Sequence, residues 1–150
     1  GPVHYDPNTK LFSKPDSYPV DPEAPPANSD IQALSCDRNK NVWMGSAGNG
    51  AYLYDVTQKK YKHFLPDKNN PYAIGDDIVN CICTDQHGNT WFGAGHYALQ
   101  QWDPARGFVS YPFAEKDSLV YGVYTIAKEG EDNLLLGMLT GEVIRVNITT

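Results

Sequence analysis

The sequence has little positive charge and no long apolar run. Its 150 residues carry 12 Lys and Arg against 18 Asp and Glu, a net charge of -6, which disfavours a partner held by neutralising phosphates. We therefore expect no nucleic-acid partner. No stretch of 18 apolar residues occurs, so we expect no membrane contact by this segment. The chain does not open with the regions of a signal peptide, and Gly1 and Pro2 match what a protease leaves after removing a purification tag.

Cysteine is also scarce, because the whole chain has only Cys36, Cys81 and Cys83. Three cysteines cannot all pair within one chain. Cys81 and Cys83 alternate along an apolar run, which predicts that both lie on one face of a strand as small buried hydrophobes. A Cys-x-Cys pair without nearby His or further Cys lacks the four ligands of a structural zinc site. We predict no metal site and no cofactor.

Turn-forming and aromatic residues are abundant instead. The chain has 13 Gly, 11 Pro and 10 Tyr. Its short apolar stretches are separated by turn residues, and none has the length or the 3.6-residue period of an amphipathic helix. This pattern predicts an all-β fold.

An internal repeat sets the expected architecture. The segment 37–45, Asp-Arg-Asn-Lys-Asn-Val-Trp-Met-Gly, aligns with 85–93, Asp-Gln-His-Gly-Asn-Thr-Trp-Phe-Gly, at an offset of 48 residues. A weaker third copy at 129–137 follows 44 residues later and has Leu135 in place of the tryptophan. The positions that we assign to the structural repeat are Asp37, Trp43, Gly45, Asp85, Trp91, Gly93 and Gly137. Asp37 and Asp85 are expected to form turns rather than to catalyse a reaction.

Each unit of 44 to 48 residues has four predicted strands, which is the size of a β-propeller blade. One strand at the N-terminus, two complete units and three strands at the C-terminus give twelve strands, or about three four-stranded blades. The expected organisation is the end of a preceding blade at 1–12, a Pro-rich linker at 13–30, a blade at 31–64, a linker at 65–78, a blade at 79–113 and a partial blade at 114–150.

Three blades are too few for a closed ring, because closed propellers have about four to eight. A β-propeller fragment of this size is therefore either an open arc or is completed by self-association of two chains. We expect self-association, since the terminal blades would otherwise expose apolar faces and unpaired edges.

The repeat resembles the two-component regulator propeller repeat. In this pattern Asn follows Asp by four positions, Trp follows Asn by two, and Gly follows Trp by two. A strand that ends in Tyr-Asp or Trp-Asp comes next. The segment 66–79 is similar to the one that joins blades in the sensors of hybrid two-component systems from gut Bacteroidetes. The resemblance implies a periplasmic segment of a membrane-anchored parent that detects glycan-derived oligosaccharides and signals to a histidine kinase.

Candidate ligand-binding residues come from the loops between second and third strands and from the joining segments, which leave a propeller at one end. His96 and Tyr97 interrupt a Gly-rich loop pattern, and an aromatic ring beside a hydrogen-bonding group suits a sugar. Asn49 lies in the corresponding loop of the first unit, and Tyr72 and Tyr121 lie in joining segments. The alternative is a surface loop that binds no ligand.

Two other function classes remain open. Propeller glycosidases and lyases exist, but glycoside hydrolysis generally needs two carboxylates about 5 to 9 Å apart, and Arg38, Arg106 and Arg145 occupy dissimilar repeat positions. We therefore predict no catalytic residues and no enzymatic activity. The other alternative is a protein-interaction or dimerisation module without a small ligand.

Overall fold

The computed structural model describes residues 4–13, 21–94, 98–113 and 122–149. Within these ranges all regular structure is β-strand, and thirteen strands form four antiparallel sheets. The prediction of an all-β fold is therefore confirmed. None of the described residues forms a helix that could cross a membrane.

The sheets follow the chain in order, each as a meander of neighbouring strands. The N-terminal hairpin comprises β1 (His4–Asp6) and β2 (Leu11–Ser13). Sheet I comprises β3 (Ile31–Cys36), β4 (Val42–Ser46), β5 (Ala51–Asp55) and β6 (Lys60–Phe64). Sheet II comprises β7 (Val79–Thr84), β8 (Thr90–Ala94), β9 (Ala98–Asp103) and β10 (Gly107–Pro112). Sheet III comprises β11 (Val123–Glu129), β12 (Asn133–Met138) and β13 (Val143–Asn147).

The predicted count of twelve strands is wrong by one, because the described N-terminal region forms two strands rather than one. Lys10 adopts a positive φ of 58° and its N–H donates to Asp6 O at 2.8 Å. This tight turn folds β1 back on β2, with Tyr5 opposite Phe12. Lys59, with a φ of 54°, makes the equivalent turn between β5 and β6. The N-terminal hairpin thus corresponds to the third and fourth strands of a sheet.

Successive sheets pack face to face, with their first strands side by side. β3 lies against β7, and β7 lies against β11. Ser35 Oγ and Thr84 Oγ1 form a hydrogen bond of 3.1 Å across the first of these contacts. Trp43 is buried in the core between sheets I and II, and Trp91 in the core between sheets II and III. The two tryptophans therefore occupy equivalent places in a radial stack.

Glycine in the repeat allows the first strand of the next sheet to approach closely. A Cβ atom on Gly45 would lie 2.8 Å from Val79 O, and one on Gly93 would lie 2.5 Å from Val123 O. Both distances are shorter than any normal van der Waals contact, so no larger residue fits without displacing backbone.

The repeated aspartates hold the turns between first and second strands. Asp37 accepts hydrogen bonds from Asn41 N at 2.8 Å and Asn41 Nδ2 at 3.0 Å. Asp85 accepts the same two bonds from Asn89, each at 2.9 Å, and a third from Trp91 Nε1 at 2.8 Å. These side chains act as structural acceptors.

The three cysteines are free thiols. Cys36 is exposed, whereas Cys81 and Cys83 are partly buried on the face of sheet II that packs against sheet III. Burial raises the pKa of Cys81 to about 12 and also raises the pKa of Cys83.

Candidate functional site

The loop between β4 and β5 lies at the same end of the molecule as the start of sheet II. Ala47 forms an isolated bridge with Ile78, and the N–H groups of Gly48 and Gly50 donate to Asp77 O at 3.0 and 2.7 Å. Asn49 is exposed in this loop, and its carbonyl oxygen lies 2.8 Å from His63 Nε2.

The joining segment 65–78 runs from sheet I to sheet II along the outer edge of sheet II. Phe108 N in the edge strand β10 donates to Tyr72 O at 2.9 Å. Buried Gln100 fixes the next stretch, because its Oε1 accepts from Gly75 N at 2.8 Å and its Nε2 donates to Ser110 Oγ at 2.8 Å. These bonds hold the segment on the rim of the stack.

A groove of about 310 Å³ opens where this segment crosses between the two sheets. We call it the rim groove. Its apolar lining consists mainly of Phe64, Trp102, Phe108 and Ile74. The Trp102 ring lies 5.0 Å from both Phe64 and Phe108, measured between centroids. The groove therefore has an aromatic floor that is continuous with the core.

Polar side chains form the edge of the rim groove. Tyr72 is 41% exposed, and its N–H donates to Asn70 Oδ1 at 3.0 Å. Arg106 Nε donates to Asp103 Oδ2 at 2.7 Å, and this bond is the main reason that the pKa of Asp103 is lowered and that of Arg106 is raised. The edge therefore offers fixed donors and acceptors around an apolar floor.

The structure separates the two predicted ligand-binding residues that it describes. Tyr72 lines the rim groove, whereas Asn49 does not, although its carbonyl oxygen lies 2.8 Å from Nε2 of the lining residue His63. The other three predicted residues, His96, Tyr97 and Tyr121, lie outside the described residues.

Trp102, Phe108 and Arg106 line the groove and were not among the predicted site residues. The sequence carried a partial signal for them, since Trp102 and Phe108 flank the turn between third and fourth strands, as Tyr54 and Tyr61 do in sheet I. The sequence repeat could not predict that Tyr72 lines the same groove as these three residues, because the joining segment has no regular structure.

Among the residues that the structure describes, no three His, Cys, Asp or Glu side chains form a group that could hold a metal ion. The arginines bind separate groups. Arg38 donates to Gln86 O in the turn of the next sheet, Arg106 binds Asp103, and Arg145 binds Glu129.

Comparison with known structures identifies the fold. The extracellular domain of a protein described as a hybrid two-component system of Bacteroides thetaiotaomicron superposes with a TM-score of 0.68 at 14% identity, over 84% of this chain and 19% of that one. A catalytically inactive variant of virginiamycin B lyase from Staphylococcus aureus, solved with quinupristin, gives 0.58 at 14% identity, over 85% and 45%. A Bacteroides thetaiotaomicron protein of unknown function gives 0.53 at 17% identity, over 75% and 33%.

These similarities define the class of the protein: an all-β, propeller-like stack of antiparallel sheets. The chain spans less than half the length of each of the solved structures just named. No protein-family model matches the sequence, and no curated protein matches it.

Proposed function

We propose that this chain is a non-catalytic part of an extracytoplasmic sensor propeller of a hybrid two-component system. In this role it helps to detect glycan-derived oligosaccharides and passes the signal to a histidine kinase elsewhere in a membrane-anchored parent. The observation that supports the proposal most strongly is the superposition on an extracellular two-component domain over 84% of the chain. The repeat pattern resembles that of the same class of sensor.

A periplasmic location follows from the same proposal. The similar solved domain is described as extracellular.

A sensing role fits the site better than a lyase or glycosidase role. The repeated carboxylates of Asp37 and Asp85 are occupied by turn hydrogen bonds, and the three arginines bind separate groups. A groove with a partly buried aromatic floor and a polar edge suits ligand binding, whereas covalent catalysis needs a nucleophile and a base in contact.

A second role, self-association, is favoured by sheet III. Among the described strands, β13 pairs only with β12, so sheet III has three strands where sheets I and II have four. Val143 is 72% exposed on its outer face. We propose that a second copy of the chain covers this face.

Isothermal titration calorimetry of the chain against a panel of neutral oligosaccharides tests the sensing proposal. The panel contains gluco-, manno-, xylo- and galacto-oligosaccharides of two to six units. The proposal predicts saturable heat with at least one of them. Absence of binding to every member, with a folded protein verified by circular dichroism, contradicts it.

A further inference from the structure

We propose that the rim groove binds one sugar ring at the end of a neutral oligosaccharide, with Tyr72 as the principal contact. This inference rests on the proposed sensing function and specifies where on the molecule the oligosaccharide binds. The place is the outer rim between sheets I and II, not the loops between second and third strands.

The first support is that two residues at the groove edge do not belong to the packing pattern that recurs in each sheet. The aromatic pair recurs, because Tyr54 and Tyr61 in sheet I correspond to Trp102 and Phe108 and have centroids 4.8 Å apart. Tyr72 and Arg106 do not recur. The turn hydrogen bonds of segment 70–73 match those of segment 21–24, so Tyr72 corresponds to Glu23, which has no ring. Arg106 corresponds to Gln58, which has no charge, because the N–H of each donates to the aspartate at the start of its turn.

The second support is that the backbone of Tyr72 is fixed while its side chain remains accessible. Its N–H donates to Asn70 Oδ1 and its carbonyl accepts from Phe108 N, at 3.0 and 2.9 Å. The residue is nevertheless 41% exposed. An exposed ring on a fixed backbone offers contact area at a small cost in conformational entropy.

The third support is the chemistry of the lining. A sugar ring has an apolar face that packs on aromatic rings, and its hydroxyls both donate and accept hydrogen bonds. Trp102 and Phe64 provide apolar surface, while Asp67, Arg106 and Asn70 provide both kinds of polar partner. Because the edge combines the Arg106 cation with the Asp67 carboxylate, it favours a neutral polyhydroxyl ligand over a charged one.

The size of the groove limits the ligand. Its volume of about 310 Å³ is at the lower end of the range of roughly 300 to 1,000 Å³ for small-molecule sites. It therefore accommodates one sugar ring, and the remainder of a longer oligosaccharide extends into solvent.

The test uses the best ligand from the calorimetric panel with four variants. Tyr72→Ala is expected to weaken binding by about tenfold or more, because it removes the exposed ring. Tyr72→Phe keeps the ring and is expected to restore most of the affinity. Arg106→Gln is expected to weaken binding by about threefold to tenfold. Tyr124→Ala removes a tyrosine of β11 that is 59% exposed, serves as the matched control and is expected to bind as the unmodified chain does.

The outcomes separate the two proposals. If the unmodified chain binds and Tyr72→Ala binds equally well, the ligand lies elsewhere and the rim groove is excluded, while the sensing function stands. If the unmodified chain binds no member of the panel, both proposals are wrong. Circular dichroism and the melting temperature of each variant establish that lost binding is not lost folding.

Discussion

At the scale of single residues, Asp85 stabilises the fold by accepting hydrogen bonds in the turn between the first two strands of sheet II. Burial alone raises the pKa of its carboxyl, but hydrogen bonds from Trp91, Asn89 and Gly88 outweigh burial and hold the pKa below its ordinary value. The carboxylate is therefore stabilised in the folded state. This contribution is complete above the pKa of the unfolded chain, about 3.9, and is lost as the pH falls through the lower folded pKa.

Replacing Asp85 with Ala is predicted to lower the free energy of unfolding by about 2 kcal/mol or more at pH 7. The reason is that the buried indole N–H of Trp91 and the donors of Asn89 lose their acceptor. Urea denaturation measures the change. Asp67→Ala serves as the control, because Asp67 is exposed and accepts a turn hydrogen bond from Asn69 N, and we expect less than about 1 kcal/mol there.

The same site predicts a pH dependence. Between pH 5 and pH 3 the free energy of unfolding of the unmodified chain should fall more steeply than that of Asp85→Asn. The variant has no carboxylate at position 85 to protonate. Acid titrations that superpose for the two proteins would show that Asp85 is not the stabilising carboxylate.

The sequence anticipated part of this residue-scale behaviour. The spacing from Asp37 to Asn41 and from Asp85 to Asn89 indicated turns with local side-chain acceptors, and both turns have them. The role of Gln100 could not be anticipated. Its partners, Gly75 and Ser110, lie 25 residues before it and 10 residues after it, and no local pattern joins them.

At the scale of strands and sheets, the repeat glycines determine how closely two sheets approach. On Gly93 a Cβ atom would collide with Val123 O of the next sheet, whereas on Gly137 it would meet the Thr125 methyl of its own sheet at 2.6 Å. Thr125 is exposed and can change rotamer. Replacing glycine with alanine is therefore expected to lower the free energy of unfolding by different amounts at the equivalent positions 93 and 137.

Gly93→Ala is predicted to destabilise the chain by about 3 kcal/mol, at the upper end of overpacking effects, and Gly137→Ala by less than about 1.5 kcal/mol. Chemical denaturation of the two variants side by side provides the comparison. Equal losses of unfolding free energy in the two variants would mean that the contact with the next sheet is not the reason for glycine at position 93.

Regular elements were easier to predict than irregular ones. Asp-x-x-x-Asn turns and short apolar runs located the strands of sheets I and II. The N-terminal hairpin was undercounted because Asp6 to Lys10 form a tight turn without glycine, and a positive φ at Lys10 has no clear sequence signal. The rim groove was not predicted as a unit, because β6, β9, β10 and a segment without regular structure contribute to it.

At the scale of the whole molecule, the outer face of sheet III favours association. Gly137 and Val143 are paired neighbours on that face, and the two equivalent glycines in sheets I and II each receive the first strand of another sheet. The N-terminal strands β1 and β2 pair with each other, and β2 is an edge strand of that hairpin.

Sedimentation equilibrium is predicted to give a mass above the 16.6 kDa of one chain at concentrations of tens of micromolar and above. Val143→Lys should shift the equilibrium toward the monomer by adding charge to the covered face. Leu65→Lys changes a side chain that is 53% exposed in the joining segment and should leave the mass unchanged. A monomer at all concentrations would exclude self-association.

The claim on which the whole description depends is that successive four-stranded sheets pack face to face as propeller blades. A double-mutant cycle between Trp43 of sheet I and Phe92 of sheet II tests it directly, since their rings are 5.0 Å apart with planes at 79°. Measured by denaturation of Trp43→Leu, Phe92→Leu and the double variant, the coupling energy is predicted to be about 1 kcal/mol. Additive effects within about 0.3 kcal/mol would show that the two sheets do not contact each other in this way.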